Sequence, residues 1–451
     1  MWGEVRDREA GKIFPSFFAS RVRSRRVAAL QLSNCKEIVS PHRGAINTIQ
    51  VDLTERRYLL AGASDASVAI YDIQHASEHE QNGLIAKHRG LLVVDKQHEY
   101  GHKFAISSAI WYPVDTGLFI TGSFDHDVKV WDTNTVQAIM DFKMPGKVYS
   151  TAMSSIATTH MLVAGGSADV QVRLCDIASG AFTHTLSGHR DGVMSLEWSS
   201  SNEFVLMSGG CDGAIRFWDI RRAGCFLVLD QSRSQLGRRP PISESALKKV
   251  PVTRTTAGKI SARATTSQKR LHPGSGSKNS TIQTKGLNLT GGSTAQRLHP
   301  GMSSSLNRAT SHYGAVTGLK ATADGMYLLS SGSDSRLRLW DVESGCNTLV
   351  NFEAMRLQTS KPLQLAVTQD SALVFVPCMA SVKAYHVWSG LTFQTFRGHY
   401  ESVNCCYFNW HDQEMYTGSN DRKILVWSPN LLAVNEMEAD DKTADQDNWS
   451  D

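Results

Sequence analysis

A four-residue pattern recurs along the chain at a nearly constant period, and that constrains the fold more than any other feature. A histidine is followed 18 or 19 residues later by a Ser or Thr, four residues on by Asp, and six further on by Trp. The full copies are His102, Thr121, Asp125, Trp131; His189, Ser208, Asp212, Trp218; His312, Ser330, Asp334, Trp340; and His399, Thr417, Asp421, Trp427. Weaker copies end at Tyr71-Asp72, Cys175-Asp176 and Tyr385-His386. The gaps between successive ends are 60, 44, 43, 122, 45 and 42 residues. Four of the six share one period, and the other two are about one period plus an insertion. A chain built this way is a closed or stacked array of one repeated unit, not the three domains that 451 residues would otherwise suggest.

Within each unit the residues alternate as strands do: Val128-Lys129-Val130-Trp131 and Ile215-Arg216-Phe217-Trp218 are period-two runs bounded by Gly, Ser and Asp turns. The pattern resembles the WD-repeat β-propeller family, so the expected fold is all-β with seven four-stranded blades. In that family the four residue types form a buried hydrogen-bonded chain. A buried indole N–H and imidazole each need a partner, and a satisfied network holds the blade in register. The His-Asp-Ser sets therefore read as structural and not as hydrolase triads, since they return in four units. No Gly-x-Ser-x-Gly elbow, phosphate-cradling glycine loop or His-Glu-x-x-His helix is present, so an enzyme reading has little support.

The insertions and ends divide the rest. Residues 27–230 hold blades 1–4, with a loop insertion at 74–101 in which Gly83–Leu92 is a candidate short helix. Its scattered His75, His79, His88 and His98 fit no ligand spacing, and neither metal nor cofactor is expected. Residues 231–310 contain no Phe, Trp or Tyr, one acid and fourteen Lys/Arg, which predicts a disordered basic loop. The pentad Arg-Leu-His-Pro-Gly occurs twice in it, at 270–274 and 297–301, without a mechanism. Such a loop is a candidate for weak, nonspecific, salt-sensitive nucleic-acid binding. Blades 5–7 follow over 311–435, then an acidic flexible tail over 436–451 with seven acids and one Lys. The whole chain has 47 basic and 43 acidic residues; without the loop it has 33 and 42, so its near-neutral sum hides an acidic ring with a basic insertion.

At the other end, residues 1–26 place apolar side chains at 2, 5, 13, 14, 17 and 18, predicting two short helices broken near Gly11 and Pro15. They pack either on their own ring or into a partner groove. Val27–Leu32 alternates like a strand that completes the last blade. Eight cysteines without a C-x-x-C pair suggest a reducing compartment, and Cys405 and Cys406 are expected on opposite strand faces. The first 30 residues lack an export signal, and no apolar run reaches about 18 residues, so no membrane helix is expected.

One repeat ends unlike the others, as Trp218-Asp219-Ile220-Arg221-Arg222. This Trp-Asp-x-Arg ending resembles the signature of WD-repeat substrate receptors of cullin-4 RING ubiquitin ligases, which bind the adaptor damaged-DNA-binding protein 1. Further runs resemble one family of such receptors, the Cockayne syndrome A family: Trp111-Tyr-Pro-Val-Asp-Thr-Gly117, Gly44-Ala-Ile-Asn-Thr48, Asn347-Thr-Leu-Val-Asn351, and Gly398-His-Tyr400 with Cys405-Cys406 downstream. The opening residues, with Arg8, Gly11, Pro15 and Arg25-Arg26-Val27, resemble that family's adaptor-binding segment. The resemblance implies a nuclear, non-catalytic receptor in transcription-coupled nucleotide excision repair. Trp2, Val5, Arg8, Ile13 and Phe17, with Asp219, Arg221 and Arg222, would meet the adaptor, and a Cockayne syndrome B-type remodeller at stalled RNA polymerase II would be the substrate context. The basic loop departs from the pattern. A general WD scaffold in chromatin or RNA processing and a nucleic-acid binder are the competing readings.

Overall fold

A computed structural model describes residues 2–80, 85–222, 224–231, 310–357 and 361–430. The basic loop, apart from Gln231 and Thr310, and the acidic tail lie outside the described residues. The chain opens with α1 (Trp2–Glu9) and α2 (Pro15–Ala28), then β1 (Leu30–Leu32) and β2 (Lys36–Val39). Blade 1 follows with β3 (Ile46–Val51), β4 (Tyr58–Ala63), β5 (Val68–Asp72), β6 (Glu78–Glu80) and β7 (Ile85–Val94). Blades 2 to 4 are four-stranded antiparallel sheets over 106–143, 148–187 and 193–229. Blades 6 and 7 span 366–397 and 403–429.

The seven inner strands close into a ring through bonds that pass from each blade to the next. Asn47 Nδ2 donates to Ile106 O at 2.7 Å, Ser107 Oγ to Val148 O at 2.6 Å and the Trp198 indole to Ala152 O at 3.1 Å. Ser195 Oγ donates to Val316 O at 3.3 Å, the Leu363 N–H to Thr317 O at 2.9 Å and the Gln364 N–H to Asn404 O at 3.2 Å. Asn404 Nδ2 then returns to Ile46 O at 2.8 Å. Apolar cores fill the wedges between blades. Cys405 packs with Ile46, Ile49 and Tyr416 on one side of its strand, and Cys406 with Phe375 and Phe408 on the other, as period two requires.

Four expectations need correction. The segment 74–101 is not a loop: residues 81–84 fall outside the described residues, and Ile85–Val94 is a strand where a helix was expected. Its reason is partnership on two sides. Residues 90–94 pair antiparallel with β5, and 86–89 pair parallel with β2. The strand at Val27–Leu32 is shorter than expected, because α2 continues through Val27 and only Leu30–Leu32 pairs, antiparallel with Ile424–Pro429. Blade 5 (Val316–Ala321, Tyr327–Gly332, Leu337–Asp341) has three strands among the described residues, not four. A single bridge, Trp340 to Asn347, starts its outer edge, and an irregular segment then buries Phe352, Met355 and Leu357 there instead.

Candidate protein-docking face

Strand direction sorts the connections onto two faces. The histidines and turn aspartates lie in the blade-to-blade connections and in the turns between the second and third strands. The turns between first and second, and between third and fourth, lie on the opposite face.

On the first face the four complete sets are joined as chains. His102 Nδ1 meets Asp125 Oδ2 at 2.8 Å, its Nε2 meets Thr121 Oγ1 at 2.7 Å, and the Trp131 indole donates to the same hydroxyl at 2.8 Å. The matching contacts in the His189 set are 3.1, 2.7 and 2.7 Å. In the His312 set they are 3.0, 2.7 and 2.9 Å, and in the His399 set 2.8, 2.8 and 2.9 Å. Burial pushes the Asp125 and Asp212 carboxyls up, but the hydrogen bonds and charge of their histidines outweigh it and hold both at about 2. Asp334 lies lower still, since Arg338 Nη1 also donates to it at 2.9 Å. Burial holds His312 and His399 below the usual imidazole range. These groups are spent on one another and hold the blades.

Blade 1 carries a fifth histidine that the repeat pattern passed over, because Ala61 stands 19 residues on, where the complete sets have Ser or Thr. His42 is buried, and its Nδ1 meets Ser67 Oγ at 2.5 Å, which in turn donates to Asp65. Ala61 occupies the position of Thr121, so His42 Nε2 has no partner, and burial holds the imidazole at about 4.

The opposite face has unspent groups. In the turn after the third strand of blade 4, Arg221 Nε and Nη2 donate to Asp219 Oδ1 and Oδ2 at 3.0 and 2.9 Å. Its guanidinium also stacks 4.6 Å above the Phe204 ring. Those hydrogen bonds hold the Asp219 carboxyl below its usual range. The Arg221 side chain nonetheless remains 57% exposed, so a fixed, planar cation is offered outward. Arg222 is exposed beside it. The equivalent positions in the other six blades are Gln74, Asn134, Ala178, Glu343, Trp388 and Asn430, so this turn alone carries the cation.

The N-terminal helices lie on the same face. Arg23 Nη1 donates to Gln369 Oε1 at 3.3 Å and Arg26 Nη2 to Asp412 O at 3.1 Å, both in turns between first and second strands. Val27 is buried against Phe375, Phe396 and Trp427. The other end of α2 is open: Phe14 is 81% exposed, and Phe17, with Arg21 over its ring, is half exposed. Val5 and Ile13 are half-buried, and Arg8 stacks on Phe18 at 5.2 Å. Trp2 opens α1, but its side chain lies outside the described residues. So α2 takes one of the two expected outlets, packing one end on the ring, and leaves its other end exposed. No hydrogen bond or ion pair joins Arg221 to the helices among the described residues. Exposed Leu53, Val114, Ile156, Met161, Met326 and Trp388 lie on turns of this same face, and sequence reasoning did not single them out. Their exposure appears only once the turns are sorted by face.

The ring also encloses a cavity of about 560 Å³, lined by Thr48, Ser108, Thr151, Ser195 and Thr317, hydroxyls largely spent on the inner-strand bonds. Among the described residues no His, Cys, Asp and Glu group is arranged to hold a metal.

Comparison with known proteins adds to this geometry. The family model described as WD domain, G-beta repeat matches residues 95–132, 180–219, 303–341 and 390–428, the four units with complete sets. The chain is 62% identical to WD repeat-containing protein ATCSA-1 of Arabidopsis thaliana over 459 residues, covering 100% of each chain. It is 26% identical to the ribosome biogenesis protein WDR12 homolog of Drosophila mojavensis over 190 residues, 42% of this chain and 44% of that one. It is 29% identical to radiation-sensitive protein 28 of Saccharomyces cerevisiae over 126 residues, 27% and 25% of the two chains. The partial matches reflect the shared repeat, whereas the full-length match extends over the N-terminal helices, the Arg221 turn and the basic insertion: the chain belongs to the Cockayne syndrome A family of WD-repeat β-propeller proteins.

Proposed function

We propose that this protein is the non-catalytic substrate receptor of a cullin-4 RING ubiquitin ligase in the nucleus, acting in transcription-coupled nucleotide excision repair. The observation that carries the reading is the shared face of two features: the Asp219-clamped Arg221 and the exposed Phe14–Phe17 end of α2. A rigid cation and large aromatics with few competing contacts are what a protein partner uses as anchors. In this reading that face meets damaged-DNA-binding protein 1, and the histidine face is left to present a substrate such as a Cockayne syndrome B-type remodeller at stalled RNA polymerase II. The receptor contributes proximity, raising the effective concentration of substrate lysines near the charged E2.

The test is capture of the adaptor by the full chain. Arg221→Ala with Phe14→Ala and Phe17→Ala is expected to reduce adaptor capture at least tenfold without lowering the melting temperature by more than a few degrees. Undiminished capture by that variant sinks the anchor assignment. If native complexes contain no adaptor and loss of the protein brings no UV sensitivity, the general scaffold reading replaces this one. If deleting 231–310 removes DNA binding that has a steep salt slope, the loop also has the nucleic-acid role its charge suggests.

A further inference from the structure

The turn aspartates have a second use. In five blades the carboxylate that holds the histidine set also accepts the backbone N–H of the residue after the histidine. Asp65 accepts from Arg43 at 2.6 Å, Asp125 from Lys103 at 3.1 Å and Asp212 from Arg190 at 3.0 Å. Asp334 accepts from Tyr313 at 3.2 Å and Asp421 from Tyr400 at 3.3 Å. Each histidine is buried, so the next side chain is held outward, and all five are exposed. The polar pins thus set a row of outward side chains on the histidine face. Blades 5 and 7 present tyrosines there, whereas blades 1, 2 and 4 present cations.

The cations gather where blades 1, 2 and 3 meet. A hollow of about 550 Å³ there is lined by Lys96, Lys103, Lys147, Phe104 and Phe124, with Asp65 and Asp125 in the same walls. Lys96, Lys103 and Phe104 come from the connection between blades 1 and 2, and Lys147 from the next connection. Among the described residues no ion pair or side-chain hydrogen bond engages the three ammonium groups; Lys147 stacks on the Phe124 ring at 5.9 Å. The two carboxylates are already taken. Asp125 accepts from His102, Lys103 and Asp127, and Asp65 from Arg43 and Ser67. Phe104 is 62% exposed. In blade 4, by contrast, Arg190 stands beside an exposed acid, Asp191.

Three unneutralised ammonium groups repel one another, and an anion placed among them relieves that repulsion. An exposed phenyl ring in the same walls favours a ligand that sets an apolar side chain beside its carboxylates. A nucleic-acid backbone fits less well, since it brings one charge per nucleotide past Asp65 and Asp125 as well.

We infer that the hollow where blades 1, 2 and 3 meet docks an acidic protein segment, with its carboxylates on Lys96, Lys103 and Lys147 and an apolar side chain on Phe104. The site stands on geometry and charge. That its occupant is a ligase substrate rests on the proposed function.

The test is selection of displayed random 12-residue peptides on the full chain, wild type against Lys96→Glu with Lys103→Glu and Lys147→Glu. The basic insertion is the same in both chains, so peptides that it retains cancel. Peptides kept by the wild type alone are expected to carry at least three acids and an aromatic or large aliphatic residue. A synthetic copy of the strongest should bind the wild type at least tenfold more tightly than the triple variant, and Phe104→Ala should weaken it at least threefold. Melting temperatures of these variants should stay within about 2 °C of the wild type, because all four side chains are exposed. If no peptide distinguishes the two chains, or those that do so carry no excess of acids, the site is overturned. If a 12-nucleotide oligothymidylate shows the same tenfold dependence and displaces the peptide, the occupant is a nucleic acid and the inference is overturned as well. Adaptor capture is read separately and should be the same for both chains, since Arg221 lies on the opposite face. Peptide binding without adaptor capture by either chain overturns the proposed function, not the site.

Discussion

At the residue scale, the repeated sets act as polar pins, and blade 1 shows what a missing member does. His42 keeps its serine and aspartate but loses the second-strand hydroxyl, since Ala61 replaces it. Ala61→Ser should add that partner and raise stability by about 1 kcal/mol, read as an upward shift in the melting temperature. In the opposite direction, Ser208→Ala removes the hydroxyl that both His189 and the Trp218 indole use, and should cost about 2–3 kcal/mol in denaturant unfolding. Acid should loosen the ring in two stages. His312 and His399 titrate lower folded than unfolded, so the unfolded chain binds protons first and stability falls as pH drops below about 6.5. Asp125 and Asp212, held at about 2, keep their contribution above the usual carboxylate range and lose it between roughly pH 4 and 2. Melting curves from pH 7.5 to 3 check both; a midpoint independent of pH from 7.5 to 5 contradicts the first stage. His42 was invisible to the repeat pattern because Ala61 and Tyr71 stand where a complete set has its hydroxyl and its Trp, although its burial makes it part of the same device.

At the element scale, the closure of the ring is richer than one strand. β1 completes blade 7 beside Ile424–Pro429, and β2 continues into a parallel pairing with β7, which also forms the outer strand of blade 1. Lys36 Nζ pairs with Glu414 at 2.8 Å across the same junction, and Ile38 is buried in the core shared by blades 7 and 1. Lys87→Pro, in the part of β7 that bonds both β2 and β6, should cost about 3 kcal/mol and raise protease cutting near residues 30–40, since a proline removes a ladder donor between two strands. An unchanged unfolding midpoint would show that β2 contributes nothing to closure. Reading Gly83–Leu92 as helix failed for the same reason that β7 matters. Its residues suit either state, and partners distant in sequence decided between them.

At the scale of the whole molecule, the chain enters and leaves the basic insertion at one point of the ring. Its two ends meet, with the Gln231 N–H bonded to Thr310 O at 3.1 Å and Ser311 Oγ donating to Leu229 O at 2.9 Å. Replacing 232–309 by two or three glycines should therefore raise the melting temperature by a few degrees, because shortening the loop saves about 3 kcal/mol of closure entropy. A large loss of stability would mean that the insertion packs on the ring. The charge partition has a face to it as well. The basic segment leaves from the histidine face, whereas the helices and Arg221 occupy the other, so removal of the segment should leave adaptor capture unchanged.

The number of blades, the four complete sets, the opposed cysteines and the unusual Arg221 turn were legible in the amino-acid sequence, because each rests on local spacing or on a period that every blade repeats. The face shared by Arg221 and α2, the double partnership of β7, the irregular outer edge of blade 5 and the exposure of Phe14 and Trp388 were decided only in three dimensions. Those depend on which segments meet after the ring closes. The bonds that close it, from Asn404 to Ile46 and from Leu30 to Pro429, join residues more than 350 positions apart, and no local pattern carries that information.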